Sequence, residues 1–93
     1  MAFLTFEIWR SEADDEQWMA EVSEQNDKVR AAIMPLAAMV YRFMAASDYE
    51  AFQKNYDWNG WGQWEPETVW TERFFTDAEA ETQRRYLASR KVR

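Results

Sequence analysis

Carboxylates are the side chains of this sequence whose spacing most suggests chemistry. Four acids fall within five positions: Glu12, Asp14, Asp15 and Glu16. Such oxygens could bind Ca²⁺ or Mg²⁺, but their spacing matches no calcium-binding loop. Acids also stabilise the positive end of a helix dipole, which is how we interpret this group. A second set, Asp57, Glu65 and Glu67, flanks tryptophans, as the paired carboxylates of sugar-cleaving enzymes can. Small acidic chains contain such pairs by chance, so we predict no catalytic residue and no metal site.

The residue types that the sequence lacks narrow its chemistry further. It contains neither histidine nor cysteine, which excludes the common zinc sites and the Ser-His and Cys-His nucleophile pairs. Its two glycines, Gly60 and Gly62, form neither a phosphate-binding loop nor a dinucleotide fingerprint. We therefore expect no cofactor, and the sequence favours a protein that is not an enzyme.

The segment WNGWGQWEPETVW, residues 58–70, holds four of the six tryptophans. Asn59-Gly60 predicts a tight turn, because these residue types tolerate positive φ, so the loop presents Trp61 and Trp64 at a bend. One interpretation is a lid that closes the core, and the other is a rigid aromatic platform for a protein, a glycan or an apolar ligand. The residues predicted to bind a partner are Trp61, Trp64, Trp9, Glu65 and Glu67.

Charge is unevenly distributed along this chain of net charge −6. Residues 1–34 carry eight acids against three bases, whereas the last ten residues carry five bases and no acid. A nucleic-acid binder needs a broad positive face, so we predict no direct nucleic-acid binding. The first ten residues do not have the pattern of a signal peptide, and residues 31–41 are too short for a membrane span. We expect a cytoplasmic protein that does not bind membranes.

Two kinds of local sequence pattern predict the secondary structure around these candidate residues: alternating apolar residues predict strands, and capping residues predict helix starts. Residues 2–9 alternate, with Leu4, Phe6 and Ile8 on one side, and predict a strand. The segment from Ser11 to Asp14 then predicts a helix start, followed by a helix that Pro35 ends at or before Met34.

The signals repeat further along the chain. Ser47 and Glu50 form the pattern of a capping box, so we predict a strand over 37–45 and a helix over 48–57. Thr76 and Glu79 repeat that pattern, which predicts a strand over 69–75 and a helix to about Ser89.

These units predict one α+β domain over residues 1–93, with a small sheet of about three strands in the order βαβαβα. Its helices would pack on one face, leaving Phe3 and Trp9 on an uncovered face that a second copy could cover. Trp58 would face the core, and Trp70 would lie in the third strand. The alternative is a mostly α-helical bundle.

The hypothesis that follows is a small acidic interaction protein. It would bind a protein partner or a second copy through exposed aromatic side chains. A variant of this hypothesis is an inhibitor or nucleic-acid mimic, with the acidic first third imitating phosphates. The alternative is a small-ligand or glycan-binding module, or a minor enzyme that uses a carboxylate or tyrosine in an aromatic pocket.

Overall fold

The computed structural model describes residues 2–13, 15–66 and 71–90. Within them the chain forms three strands and three helices. The strands are β1 (Leu4–Ser11), β2 (Glu16–Glu21) and β3 (Ala38–Ala45). The helices are α1 (Glu24–Ile33), α2 (Asp48–Asn59) and α3 (Asp77–Ser89). The α+β class with a small three-stranded sheet is confirmed, and the helical-bundle alternative is wrong.

The strands form one antiparallel sheet in the order β2-β1-β3, so β1 is central and both neighbours are edge strands. Phe6 pairs with Glu21 of β2 and with Phe43 of β3. The pairing with β3 shifts register between Ile8 and Trp9, which leaves one extra residue in β3. The order of elements along the chain is ββαβαα rather than βαβαβα.

The prediction of a helix that starts at Ser11 is wrong for its first half, which forms a turn and strand β2. Ser11 is the last residue of β1, and Asp15, with φ of 53°, lies in the turn that leads into β2. Trp18 stands directly opposite Trp9 in the hairpin, so pairing with β1 decides the conformation of this segment. The helix begins only after Ser23, whose hydroxyl accepts from the Asn26 amide at 3.0 Å. Its end before Pro35 is confirmed.

The later elements follow their local signals closely. The hydroxyl of Ser47 accepts from the Glu50 amide at 3.1 Å, and α2 starts there as predicted. Glu50 accepts in return from the Ala46 amide, one residue before the position that a capping box uses. Thr76 and Glu79 form the complete capping box that opens α3. Strand 37–45 is confirmed as β3.

The strand predicted over 69–75 is not formed in its described part. Residues 71–73 have no regular structure, and Phe74 makes one isolated bridge to Ser47. Val69 and Trp70 lie outside the described residues. The backbone amide of Phe75 donates to the Ala46 carbonyl at 2.9 Å, so the segment is held beside the end of β3 without joining the sheet as a strand.

The core lies on one side of the sheet and is small. Leu4, Phe6 and Ile8 of β1 form it with four other buried residues: Phe43, Ala45, Ala51 and Phe75. Ala51 belongs to α2, and Ala80 of α3 packs against the same cluster. We call this side the core face. It buries alternate β1 residues, as the sequence pattern predicted.

The helices do not all pack on the core face, which corrects the predicted layering. Arg30 of α1 lies 3.6 Å from the ring of Trp9, whose side chain points to the opposite face, which we call the second face. No residue of α1 is buried. The α3 helix passes from Ala80 on the core face to Arg90, which reaches Glu7 on the second face. Helices therefore lie on both sides of the sheet.

Candidate interaction surface

Strand β3 carries more exposed large apolar side chains than any other element described. Residues 38–42 are all exposed, and Met39, Val40, Tyr41 and Met44 each leave between 39% and 51% of their surface accessible. Leu36, just before the strand, is 81% exposed. We call Leu36, Met39, Val40, Tyr41 and Met44 the β3 surface. Single exposed apolar residues are ordinary, but a run of them along one strand is a candidate contact surface.

The outer edge of β3 pairs with no strand in the described part of the chain. The Thr5 carbonyl bonds toward β2, and backbone groups alternate sides along a strand. Phe43 therefore bonds to β1, while the backbone groups of Arg42 and Met44 point to the open edge. The amine of Lys54 donates to the Met44 carbonyl at 2.7 Å and occupies that end of the edge. The rest of the edge offers backbone groups to an added strand.

A row of rings connects the core to the β3 surface. Phe6 stacks on Phe43 at 5.5 Å between ring centres, Phe43 on Tyr41 at 5.9 Å, and Tyr41 on Trp58 at 5.4 Å. The guanidinium of Arg10 lies over the last ring of this row, that of Trp58, 5.9 Å from its centre. Trp58 is 36% exposed, so the prediction that it faces the core is wrong. The Trp58 ring lies in the last turn of α2 and stacks on Tyr41 at the edge of the sheet.

The tryptophan loop folds back along α2. Trp64 stacks on Phe52 at 4.8 Å between ring centres, and Trp61 meets Tyr56 edge-on at 5.3 Å. Gln53 fastens the loop, because its carbonyl oxygen accepts from the Trp64 amide at 2.9 Å and its amide donates to the Gly62 carbonyl at 3.2 Å. In its described part, residues 60–66, the loop thus covers the outer side of α2 and does not close an end of the core.

The chain turns at Gly60 and not at both predicted residues, since Asn59 is the last residue of α2 and has no positive φ. Gly60 has φ of 71° and caps the end of α2, and Gly62 has φ of 89°. Any other residue would be strained in these conformations, which explains both glycines. A polar cleft of about 580 Å³ opens beside the turn, lined by Gln53, Asp57, Gly60, Gly62 and Gln63.

The five predicted partner-binding residues do not lie together. Trp61 is 57% exposed, whereas Trp64 is half-buried against α2. Glu65 is exposed next to it, and Glu67 lies outside the described residues. Trp9 sits on the second face of the sheet, half-buried beneath Arg30, and donates to Glu7 at 3.0 Å. Sequence reasoning missed the β3 surface, because a strand's sequence does not show whether it lies at an edge.

Behind Trp9 lies a charged cluster formed by Glu7, Asp27, Arg42 and Arg90. Arg90 donates to both oxygens of Glu7 at 2.8 Å, and Arg42 donates to one of them at 2.6 Å. Arg90 also bonds both oxygens of Asp27, which accepts from Tyr86 as well. The Glu7 side chain is only 3% exposed. These bonds tie residue 90 to the sheet and to α1.

The pKa values in this cluster follow from its contacts. Burial alone would raise the pKa of the Glu7 carboxyl, but hydrogen bonds from Arg90, Arg42 and Trp9 outweigh burial and lower it to about 2. The same balance lowers the pKa of Asp27, where Tyr86, Arg30 and Arg90 are the donors. The carboxylates therefore stay charged and paired at neutral pH. That is the behaviour of a structural ion network and not of a proton-transferring pair.

One cavity, of about 410 Å³, lies between the end of β2 and α3. Its lining includes Leu4, Glu21, Glu79, Gln83 and Tyr86. Burial, and then the nearby Asp48 and Glu79 charges, raise the pKa of Glu21. Among the described residues, no group of three carboxylates is placed to hold a metal ion. Of the three acids that line the cavity, Glu79 is paired with Arg73 at 3.0 Å and Glu24 with Lys28 at 3.7 Å.

Comparison with known proteins adds no family to this description. No protein-family model, no curated protein and no solved structure matches the chain. No helix among the described residues is long and apolar enough to cross a membrane.

Proposed function

We propose that this chain is a protein-interaction module that binds a protein partner through the β3 surface. The observation that carries the proposal is the exposure of Met39, Val40, Tyr41 and Met44 along one open edge strand. Protein interfaces are rich in methionine, tyrosine and arginine, and β3 exposes all three types, since the Arg42 side chain between Tyr41 and Met44 is 50% exposed. An added strand would satisfy the free backbone groups of the edge.

The dimensions of the chain and the packing of its helices support binding of a partner at β3. The chain measures 35 × 32 × 19 Å, so it is thin in one direction. Helix α2 packs against β3, α1 against β2 and α3 against β1, and Met39, Val40 and Met44 of β3 stay exposed beside α2. A partner on β3 would shield apolar side chains at about 25 cal/mol for each Å² buried. The small-ligand and glycan-binding alternatives remain predictions.

Affinity capture from the cells that make the protein tests the proposal. Val40→Glu places a charge in the middle of the β3 surface, and we expect it to weaken binding of the captured partner at least about tenfold. Ile33→Glu is the matched control, because Ile33 is also exposed and apolar but lies on α1. Recovery of the same partners by wild type and by both variants, in equal yield, would contradict a role for β3.

A further inference from the structure

We infer that the cavity beside α3 binds a small organic cation, a protonated amine on an apolar body, and that Glu21 pairs with its ammonium group. The cavity lies between the end of β2 and one face of α3. Its volume of about 410 Å³ falls within the range of small-molecule sites, about 300 to 1,000 Å³. The sheet order puts β2 at one edge and β3 at the other, so this site is separate from the β3 surface.

The lining offers apolar surface for the body of a ligand. Leu4, Ala78 and Tyr86 contribute to it, and Leu4 also belongs to the core, so the cavity reaches down to the core. Gln83 holds α3 on the sheet through three hydrogen bonds to backbone groups. The hydroxyl of Tyr86 donates to Asp27, which fixes the ring. The cavity is therefore formed by side chains that are already held in place, as in most ligand sites.

Glu21 is the lining side chain whose polar atoms lack a partner. Every other polar side chain of the lining makes a hydrogen bond or an ion pair: Ser23, Glu24, Glu79, Thr82, Gln83 and Tyr86. Among the described residues, none donates a hydrogen bond to the Glu21 carboxylate or forms an ion pair with it. The oxygens of Glu21 are therefore available to a ligand.

The charges around the cavity favour a cation. Burial is the first cause that raises the pKa of the Glu21 carboxyl, and the charges of Asp48 and Glu79 raise it further. Arg73 acts in the opposite direction, but its guanidinium is already paired with Glu79. These surroundings disfavour the charged carboxylate as long as no cation approaches it. An ammonium group beside Glu21 would remove that penalty, whereas an anion would be repelled.

Filling the cavity selects a ligand by its charge. A body that displaces water from the cavity also takes water from the Glu21 carboxylate, which costs free energy unless a cation pairs with it. A neutral ligand offers no such pairing. The N-termini of α1 and α3 lie beside the cavity, but Ser23 and Thr76 cap them and acids occupy their first turns. Their positive ends are therefore already offset and do not make this an anion site.

Titration of the purified chain with phenethylamine, followed by two-dimensional NMR spectra, tests the inference. We expect saturable shifts of the amide signals of Glu21, Ala78 and Thr82, with a dissociation constant of about 1 mM or lower. Phenethyl alcohol replaces the ammonium group by a hydroxyl and should bind at least about tenfold more weakly, because it lacks the charge-assisted hydrogen bond. Phenylacetate carries the opposite charge, and ammonium chloride lacks the apolar body. Neither should shift these signals.

The variant Glu21→Gln removes the charge and keeps the shape of the side chain. We expect it to weaken phenethylamine binding at least about tenfold and to abolish the preference for the amine over the alcohol. It should fold, since the folded chain disfavours the charge that it removes. Glu16→Gln is the matched control, because Glu16 is the exposed acid at the other end of β2 and does not line the cavity. Ala78→Phe fills the cavity and should weaken binding of both probes.

Several outcomes would overturn the inference. They are no saturable shift in wild type, equal affinity for the amine and the alcohol, or amine binding that Glu21→Gln or Ala78→Phe does not weaken. Shifts confined to signals outside the lining would overturn it as well, since a chain of net charge −6 attracts cations without a site. None of these outcomes bears on the proposed function, because affinity capture tests β3 at the opposite edge of the sheet.

Discussion

The variant Glu7→Ala is expected to lower the free energy of unfolding by about 4 kcal/mol relative to wild type. Glu7 accepts from Arg90 and Arg42, and its side chain is 3% exposed. Removing one partner of a buried ion network leaves the other charges uncompensated, and this costs more than a surface ion pair stabilises. Arg90, 13% exposed, would keep only Asp27 as a partner. Chemical denaturation followed by tryptophan fluorescence measures the change.

The control for this variant is Glu16→Ala, which removes an exposed carboxylate at the start of β2. We expect Glu16→Ala to change the free energy of unfolding by less than about 0.5 kcal/mol. A loss below about 1 kcal/mol for Glu7→Ala would contradict the structural role of the cluster. Glu7→Gln separates charge from shape, because it keeps the volume and two hydrogen-bonding atoms. We expect it to recover part of the lost stability.

The same carboxylate makes stability depend on pH in a defined direction. Its pKa is about 2 in the folded chain, below the ordinary value of 4.5. The stabilisation is therefore complete above the unfolded-state value and disappears as the pH falls from about 4.5 toward 2. The difference corresponds to about 3 kcal/mol. The pKa of Asp27 is lowered as well, but Asp27 is present in both chains. Wild type should therefore lose stability in acid more steeply than Glu7→Ala because only wild type carries Glu7.

The variant Gln83→Ala has the second-largest expected effect, a loss of about 2 to 3 kcal/mol in the free energy of unfolding. Gln83 is buried in α3 and accepts from the Thr5 amide at 2.7 Å. Its own amide donates to the carbonyls of Thr5 and Val22 at 2.9 and 3.0 Å. Alanine at this position leaves these backbone groups without the side-chain partner that docks α3 on the sheet. Chemical denaturation again gives the measurement.

Thr82→Ala is the matched control for Gln83→Ala, because Thr82 is the neighbouring exposed residue and bonds only within its own helix, to the Ala78 carbonyl. We expect Thr82→Ala to stay within about 0.5 kcal/mol of wild type. Equal stability of Gln83→Ala and Thr82→Ala would show that the side chain of Gln83 does not hold α3 in place.

The sequence predicted those elements whose signals are local. The hydroxyls of Ser47 and Thr76 start α2 and α3 because a cap acts within a few residues. Pro35 ends α1 for an equally local reason. The error after Ser11 has a different origin. The apolar spacing of Trp18 and Val22 suits a helix, but the strand is chosen by pairing with β1, and pairing partners cannot be read from one segment.

The candidate site was predictable only in part. Trp61 is exposed as expected, because glycines and a turn hold it at a bend. The β3 surface was not foreseen, although its strand was, since exposure of Met39 and Met44 depends on where the helices pack, above all α2, which contacts β3. The contact between Glu7 and Arg90 joins residues 83 positions apart, and no local pattern indicates it.

Oxidative footprinting inside the cells that make the protein tests the central claim most directly, because it measures whether β3 is covered there. Met39 and Met44 are exposed in the isolated chain, and so is Trp61, which lies outside the β3 surface. The account predicts that both methionines oxidise several-fold more slowly in cells than in the dilute purified chain, while Trp61 reacts at the same rate. Equal rates for the methionines in both settings, or protection of Trp61 alone, would contradict it.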